Sequence, residues 1–306
     1  MSDPFDLGVL YTDHRALVEG TPLASLWSYE SSVRSCRSSD RPSNRPHQYW
    51  LHRSDPLLNT MLPGTYVSVV VNFGDPWATG RSLPSSSVIP ALSVIGPFTW
   101  PQFLRVGRRV GAIGAVFPSV LSSDFLGVPA PALVNQIVSL EEFWPRETVH
   151  RLHEALVRRS LPDGLGVLKE TLLARLTFAA RIETLERSAA RLLLARRGAV
   201  SIDRIAHDYG LSRQRLARRF HDAAGLSPKR FGRLARFQGL VYTLLSTDVR
   251  EWAGAASEAG FYDQAHMINE FRDLAGAPPT TFFQPHDDTI ERSRIQVRGR
   301  PSEWLR

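Results

Sequence analysis

The sequence has little cysteine, little lysine and no long apolar run. Cys36 is the only cysteine among 306 residues, which excludes an internal disulfide and a zinc site built from two or more thiolates. The longest stretch without a charged side chain, residues 82–104, contains four prolines and is therefore a poor membrane helix. The acidic N-terminus has no apolar segment typical of a signal peptide. We therefore expect a soluble, cytoplasmic protein without a membrane partner.

Basic charge comes almost entirely from arginine and is concentrated in one segment. The formal net charge is +7, and only two of the 37 basic residues are lysines. Residues 203–236 hold nine basic and three acidic residues, a local charge of +6. A codon bias would favour arginine over lysine, but it would not concentrate the charge. Such a patch is what a polyanion-binding surface requires, although a solvated helix face produces the same pattern.

The pattern of apolar residues changes along the chain and predicts two domains of mixed fold class. Residues 1–140 are rich in Pro, Gly and Ser, and short apolar runs such as 66–73 and 88–95 are typical of strands in a small barrel or sandwich. From Glu141 the spacing becomes helical. The predicted helices span 147–159, 165–180 and 182–197, with a break at 161–164.

These patterns predict the bounds of the domains. Residues 1–180 form a domain that is β-rich and barrel-like to about residue 140 and then helical, residues 181–284 form an all-α domain, and residues 285–306 form a polar tail.

The C-terminal hundred residues contain an internal repeat. Measured from Ser212, a Phe, a Gly, a Pro and a Phe follow at offsets 8, 13, 16 and 19, and the same residue types follow Asp263 at the same offsets. Each unit predicts a helix, a tight turn at Gly210 or Gly260, and a second helix capped by Ser212 or Asp263. The turn of the second unit is one residue longer. A linker helix over residues 233–245 is predicted to join the two units.

The second helix of the first unit has one apolar and one basic face. Leu216 and Phe220 form the apolar stripe, and the opposite face carries Gln and Arg, which suits a reader of the DNA major groove. The candidate DNA-binding residues of this helix are Arg213, Gln214, Arg215, Ala217, Arg218, Arg219 and His221. We expect Gln214 and Arg218 to contact bases and Arg213, Arg215 and Arg219 to contact phosphates.

These motifs resemble the AraC/XylS-type transcription regulators. The matching segments include Ile205-Ala206, Leu211-Ser212-Arg213, Gly225-Leu226-Ser227-Pro228, Gly260-Phe261 and Gly276 through Pro279, within about residues 195–283. The resemblance implies two helix-turn-helix units whose recognition helices enter successive major grooves on one face of DNA. It also implies a DNA-binding regulator without catalytic activity or cofactor, and more often an activator. The implied partners are double-stranded DNA, RNA polymerase, a small-molecule effector and a second copy of the chain.

The two units differ in charge. The second unit, residues 248–273, has two basic and six acidic residues, a charge of −4, and Asn269 stands where the family often has Arg. Since an acidic surface repels phosphates, we expect the first unit to supply most of the affinity and the second to supply modest specificity. The candidate residues of the second unit are Gln264, Ala265, Ile268 and Asn269, with Gln264 and Asn269 suited to adenine and Ile268 to a thymine methyl.

The N-terminal region has no catalytic or metal-binding signature, and its notable feature is aromatic content. Aromatic residues are ordinary barrel core, but they also line apolar ligand pockets, and we take Trp50, Tyr66 and Trp100 as candidate effector-binding residues. Two other classes remain open: a DNA-repair or alkyl-sensing enzyme fused to the same DNA reader, and an architectural DNA-binding protein. A lone Cys36 disfavours the first, and specificity for one DNA site would exclude the second. We expect no metal site.

Overall fold

The chain folds into antiparallel sheets followed by helices. The structure is a computed structural model that describes residues 8–13, 23, 25–32, 50–52, 58–107, 109, 111–176, 183–246 and 252–282. The strands are β1 Gly8–Asp13, β2 Ser25–Ser32, β3 Trp50–His52, β4 Leu58–Met61, β5 Tyr66–Asn72, β6 Ala78–Gly80, β7 Ser87–Val88, β8 Leu92–Ile95, β9 Gln102–Arg105, β10 Gly111–Pro118 and β11 Ile137–Ser139. Among the described helices, none is long and apolar enough to cross a membrane.

The strands form two antiparallel sheets. The larger has the order β1-β2-β10-β5-β8-β11, and the smaller has the order β3-β4-β9-β6-β7. The apolar run at residues 88–95, predicted as one strand, is divided between β7 in the smaller sheet and β8 in the larger one. Pro90 lies between them, and proline cannot supply the backbone donor that a continuous central strand needs.

The central strands β10, β5 and β8 of the larger sheet are buried on both faces. Val67, Val69 and Val71 of β5 pack with the helices that follow the sheet, whereas Tyr66 and Val70 belong to a cluster that includes Met61 and Leu104 of the smaller sheet. The described part of β5 therefore reads as a nearly continuous apolar run rather than a strict alternation. The predicted barrel-like, β-rich N-terminal region is confirmed as a pair of facing antiparallel sheets.

Helices cover the outer face of the larger sheet. They are α1 Ser122–Leu126, α2 Arg146–Val157 and α3 Leu161–Arg175. The predicted break at residues 161–164 is wrong, because α3 begins at Leu161. The Ser160 side chain caps the helix, and Pro162 lies in the first turn, where its missing N–H group costs nothing.

The remaining described helices form the C-terminal region: α4 Leu185–Ala195, α5 Ile202–Asp208, α6 Arg213–Ala224, α7 Pro228–Ser246, α8 Trp252–Glu258, α9 Gln264–Ala275 and α10 Pro279–Phe282. The linker helix α7 begins five residues earlier than predicted, directly after the Ser227-Pro228 step. The predicted domain boundary at residue 180 and the polar tail at 285–306 lie outside the described residues, so both stay predictions.

Candidate nucleic-acid interface

The first unit, α5 and α6, has the predicted helix-turn-helix geometry. Gly210 adopts a left-handed φ of 62°, which lets the chain reverse after α5. The Leu211 N–H group donates to the Ala206 carbonyl at 2.8 Å and closes this turn. The Ser212 hydroxyl then accepts from the Arg215 N–H group at 3.2 Å, so α6 begins at the residue that the cap predicts.

One face of α6 is anchored in the core and the other is exposed. Leu216, Phe220 and Ala224 are completely buried, and the Phe220 ring meets the Phe231 ring edge-on at 5.2 Å. Of the candidate DNA-binding residues, Ala217 is half-buried and the others are exposed: Arg213, Gln214, Arg215, Arg218, Arg219 and His221. The helix therefore presents these side chains together on one surface.

The arginines of α6 differ in their availability to a ligand. Within the described residues, Arg215 and Arg218 have no ion-pair partner. Arg213 lies 3.5 Å from the exposed Asp203 carboxylate, a weak contact that solvent screens. The Arg219 Nε lies 2.7 Å from an oxygen of Glu186, a nearly buried residue of α4. Phosphate binding by Arg219 would compete with this pair.

The second unit, α8 and α9, repeats the geometry of the first. Gly260 has a φ of 77°, and the Phe261 N–H group donates to the Ala256 carbonyl at 2.9 Å. The Asp263 carboxylate accepts from the His266 N–H group at 2.7 Å and caps α9. Both recognition helices end at a left-handed glycine, Gly225 at 76° and Gly276 at 79°. The internal repeat predicted from residue offsets is therefore a structural repeat.

The candidate residues of α9 are not equally accessible. Gln264, Ala265 and Asn269 are exposed, whereas Ile268 is half-buried against the core. The Asn269 side-chain oxygen accepts a hydrogen bond from Arg272 at 3.3 Å, and its amide nitrogen has no acceptor among the described residues. Ile268 thus offers DNA less apolar surface than its position in the sequence predicts.

The acidic residues of the second unit are partly neutralised from outside it. Arg233 of the linker helix lies 3.5 Å from Glu270 and 3.1 Å from Asp273. Arg197 lies 3.8 Å from Glu258. Asp248 and Glu251 are outside the described residues. The charge of −4 counted from the sequence therefore overstates the repulsion that the second unit would exert on DNA, because it omits these two arginines.

The N-terminal domain contacts the C-terminal ends of both recognition helices. The buried Ser119 hydroxyl donates to the Ala224 carbonyl at 2.9 Å, where α6 ends. A Cβ atom placed on Gly225 would lie 2.8 Å from the Ala130 carbonyl oxygen, so the two segments are in close contact. A Cβ atom on Gly276 would lie 3.6 Å from Pro101. Sequence reasoning missed this interface, since its partners are far apart in the chain.

Two buried polar contacts reinforce the interface. Arg187 of α4 lies 2.6 Å from Asp124 of α1, and both side chains are largely buried. The Gln238 side-chain oxygen on α7 accepts from the Thr65 hydroxyl at 2.9 Å and from the Thr65 N–H group at 3.3 Å. The N-terminal domain is therefore fixed to the helix before the first unit and to the helix that links the two units.

The candidate effector residues lie in or beside the sheets. Tyr66 is buried between the two sheets. The Arg81 guanidinium lies over the Trp100 ring, 4.2 Å from the ring centre. Trp50 pairs with Met61 across the β3–β4 ladder, and its side chain lies outside the described part.

Polar side chains also point between the sheets. Ser68 shares the face of Tyr66 on β5, Ser93 lies opposite Val70, and Asn59 lies opposite Leu104. Asn59, Ser68 and Ser93 are fully buried, and their side-chain polar atoms have no hydrogen-bond partner among the described residues. Buried polar groups normally have hydrogen-bond partners, so these three side chains are exceptions within the described core.

Comparison with known proteins locates the similarity in the C-terminal region. Residues 205–285 match the family model of a helix-turn-helix domain. No curated protein matches the chain closely enough to indicate homology.

Solved structures resemble the chain only weakly over its full length. A structure of ToxT from Vibrio cholerae has a TM-score of 0.43 at 11% identity, over 76% of this chain and 94% of that chain. The AraC-like transcriptional activator CuxR has a TM-score of 0.27 at 12% identity, over 69% of this chain and 74% of that chain. Scores of this size do not establish a shared arrangement of the whole chain.

The family match and the repeated geometry agree with the resemblance found in the sequence. The matched segment contains α6, α7, α8 and α9, with both glycine turns and both helix caps in place. Residues 205–285 therefore form a helix-turn-helix domain of the AraC type, a domain that binds DNA.

Proposed function

We propose that the protein is a sequence-specific transcription regulator whose helices α6 and α9 enter successive major grooves on one face of DNA. The observation that carries this proposal is the exposed face of α6. Arg215 and Arg218 lie on this face and have no ion-pair partner among the described residues. Buried Leu216 and Phe220 fix the helix that carries them. A rigid helix with exposed cationic and amide side chains meets the needs of a major-groove reader. By family resemblance we propose activation of transcription, with RNA polymerase as a partner.

Within α6 we propose that Gln214 and Arg218 contact base edges. Arg213 and Arg215 lie in the first turn, beside the helix cap, and we assign them to phosphates. Arg219 is predicted from sequence to contact phosphate, but its pairing with Glu186 makes it a weaker candidate than the other two. Ala217 and His221 complete the proposed surface.

Within α9 we propose a smaller contribution to affinity. Gln264 and Asn269 are exposed amides that can donate to and accept from an adenine edge, with the short Ala265 beside them. Ile268 would contact a thymine methyl only through its exposed part. Because the first two turns of α9 contain no arginine or lysine, the second unit adds few phosphate contacts and modest specificity.

We further propose that a small molecule bound in the N-terminal domain modulates DNA binding. The support is the set of buried, unpartnered groups of Asn59, Ser68 and Ser93 beside Tyr66, which suits a ligand with hydroxyl or carbonyl groups. Trp50 and Trp100 stay candidate lining residues. The contacts at the ends of α6 and α9 give such a ligand a route to the DNA reader, and a second copy of the chain remains a proposed partner.

Selection of DNA from a random pool tests the DNA-binding proposal. The selected site should bind about 10³–10⁷ times more tightly than random DNA at physiological salt. Arg218→Ala should reduce this ratio, and Arg158→Ala, at an exposed arginine next to the C-terminal end of α2, should leave it unchanged. Equal affinity for selected and random DNA would contradict sequence-specific regulation and would favour the architectural DNA-binding protein instead.

A further inference from the structure

The second helix-turn-helix unit contains one residue that has no counterpart in the first. In both units the residue after the turn glycine donates its N–H group to the same position of the preceding helix, Leu211 to Ala206 and Phe261 to Ala256. The next residue in the first unit is the cap Ser212, whereas in the second unit Tyr262 precedes the cap Asp263. The extra residue is therefore Tyr262.

The side chain of the inserted residue, Tyr262, is exposed to solvent. Its exposed fraction is 93%, whereas Phe261 beside it is buried in the core and Leu211, the last residue before the cap in the first unit, packs against the core. A phenol ring left in solvent contributes almost nothing to folding. It stands immediately before the N-terminal end of α9, the end of a recognition helix that contacts DNA.

The second unit has no arginine or lysine at this end of its recognition helix. The first turn of α6 carries Arg213 and Arg215, and the equivalent positions of α9 are Gln264 and His266. The His266 ring packs edge-on against the Phe261 ring, with 5.4 Å between the ring centres. A neutral hydroxyl is a common donor to DNA phosphates, so tyrosine can supply here a contact that arginine supplies in the first unit.

We infer that Tyr262 contacts the DNA backbone, its phenol O–H group donating a hydrogen bond to a phosphate at the edge of the groove that α9 enters. A residue before the helix cap lies at the rim of the groove rather than over its floor, which favours a phosphate over a base. This inference depends on the proposed DNA-binding function. It assigns to the second unit a contact that positions the helix without adding charge.

Binding of the full-length protein to a selected DNA site tests the inference. The variants are Tyr262→Phe, which removes only the hydroxyl, Tyr262→Ala, and Arg218→Ala in the first unit. Each is measured on the full site and on a half-site that contains only the first unit's segment. Because Tyr262 is exposed, both of its variants should keep the melting temperature of the unsubstituted protein.

We expect Tyr262→Phe to bind the full site about tenfold more weakly than the unsubstituted protein, because it loses one hydrogen bond to a charged group. On the half-site the two proteins should have equal affinity. The salt dependence should not change, since a phenol is neutral. Ethylation of one phosphate on the second unit's side should weaken binding of the unsubstituted protein but not of Tyr262→Phe.

Two outcomes would contradict different claims. Full-site affinity of Tyr262→Phe equal to that of the unsubstituted protein, while Arg218→Ala is weakened, would overturn the role of Tyr262 alone. Failure of the unsubstituted protein to discriminate any site from random DNA would overturn the proposed function, and this inference with it.

Discussion

Replacing Arg187 with methionine tests whether a buried ion pair fixes the N-terminal domain to the DNA reader. The Arg187 side chain is 14% exposed and lies 2.6 Å from an Asp124 carboxylate that is 11% exposed. Arg187→Met keeps the length of the side chain but leaves this carboxylate buried without its cation. Removing one partner of a buried pair costs about 3–5 kcal/mol, whereas an exposed pair contributes about 0–1 kcal/mol.

Reversible urea unfolding, followed by circular dichroism, measures this loss. We expect Arg187→Met to lower the free energy of unfolding by about 3–5 kcal/mol, the cost of removing one partner of a buried ion pair. The double variant Arg187→Met, Asp124→Asn should recover a large part of it, because no buried charge remains. A loss below about 1 kcal/mol, or a double variant no more stable than Arg187→Met alone, would contradict the burial of this ion pair at an interface.

Three further predictions concern α6, α9 and their turns. Arg218→Ala should weaken DNA binding by about 1–3 kcal/mol in a titration, and Asn269→Ala should weaken it clearly less; equal losses would contradict the unequal contribution of the two units. Gly225→Ala should destabilise the protein more than Gly210→Ala in thermal melts, because both residues have left-handed φ but only Gly225 lies against another backbone. Phe220→Ala should cost about 3–5 kcal/mol of unfolding free energy, since the ring is fully buried, and a loss below 1 kcal/mol would contradict its place in the core.

The C-terminal units were predictable because their signals are local and repeated. The cap at Ser212, the glycine at 225 and the apolar stripe between them fix α6 within one short segment, and the same pattern recurs around Asp263. Local chemistry also explains the one mistaken break, at residues 161–164. Pro162 ends a helix when it lies inside one but is tolerated in a first turn, and only the position of the Ser160 cap distinguishes the two cases.

The electrostatics of the candidate site depended on contacts that the sequence does not reveal. Glu186 precedes Arg219 by 33 residues and still pairs with it, and Arg233, which contributes to the basic patch in the sequence, lies against acidic residues of the second unit. The sequence analysis assigned Arg219 to phosphate and counted Arg233 in the basic patch. The docking of Ser119 on the end of α6 joins residues 105 positions apart, which periodicity cannot predict.

The proposed function requires that both recognition helices dock on DNA, with unequal strength. Hydroxyl-radical footprinting of the protein on its selected site tests this most directly. We expect two protected segments for each protein molecule, about 10 bp between centres, with the segment assigned to α6 protected more completely at saturating protein. A single protected segment, or loss of both segments in Asn269→Ala but not in Arg218→Ala, would contradict it.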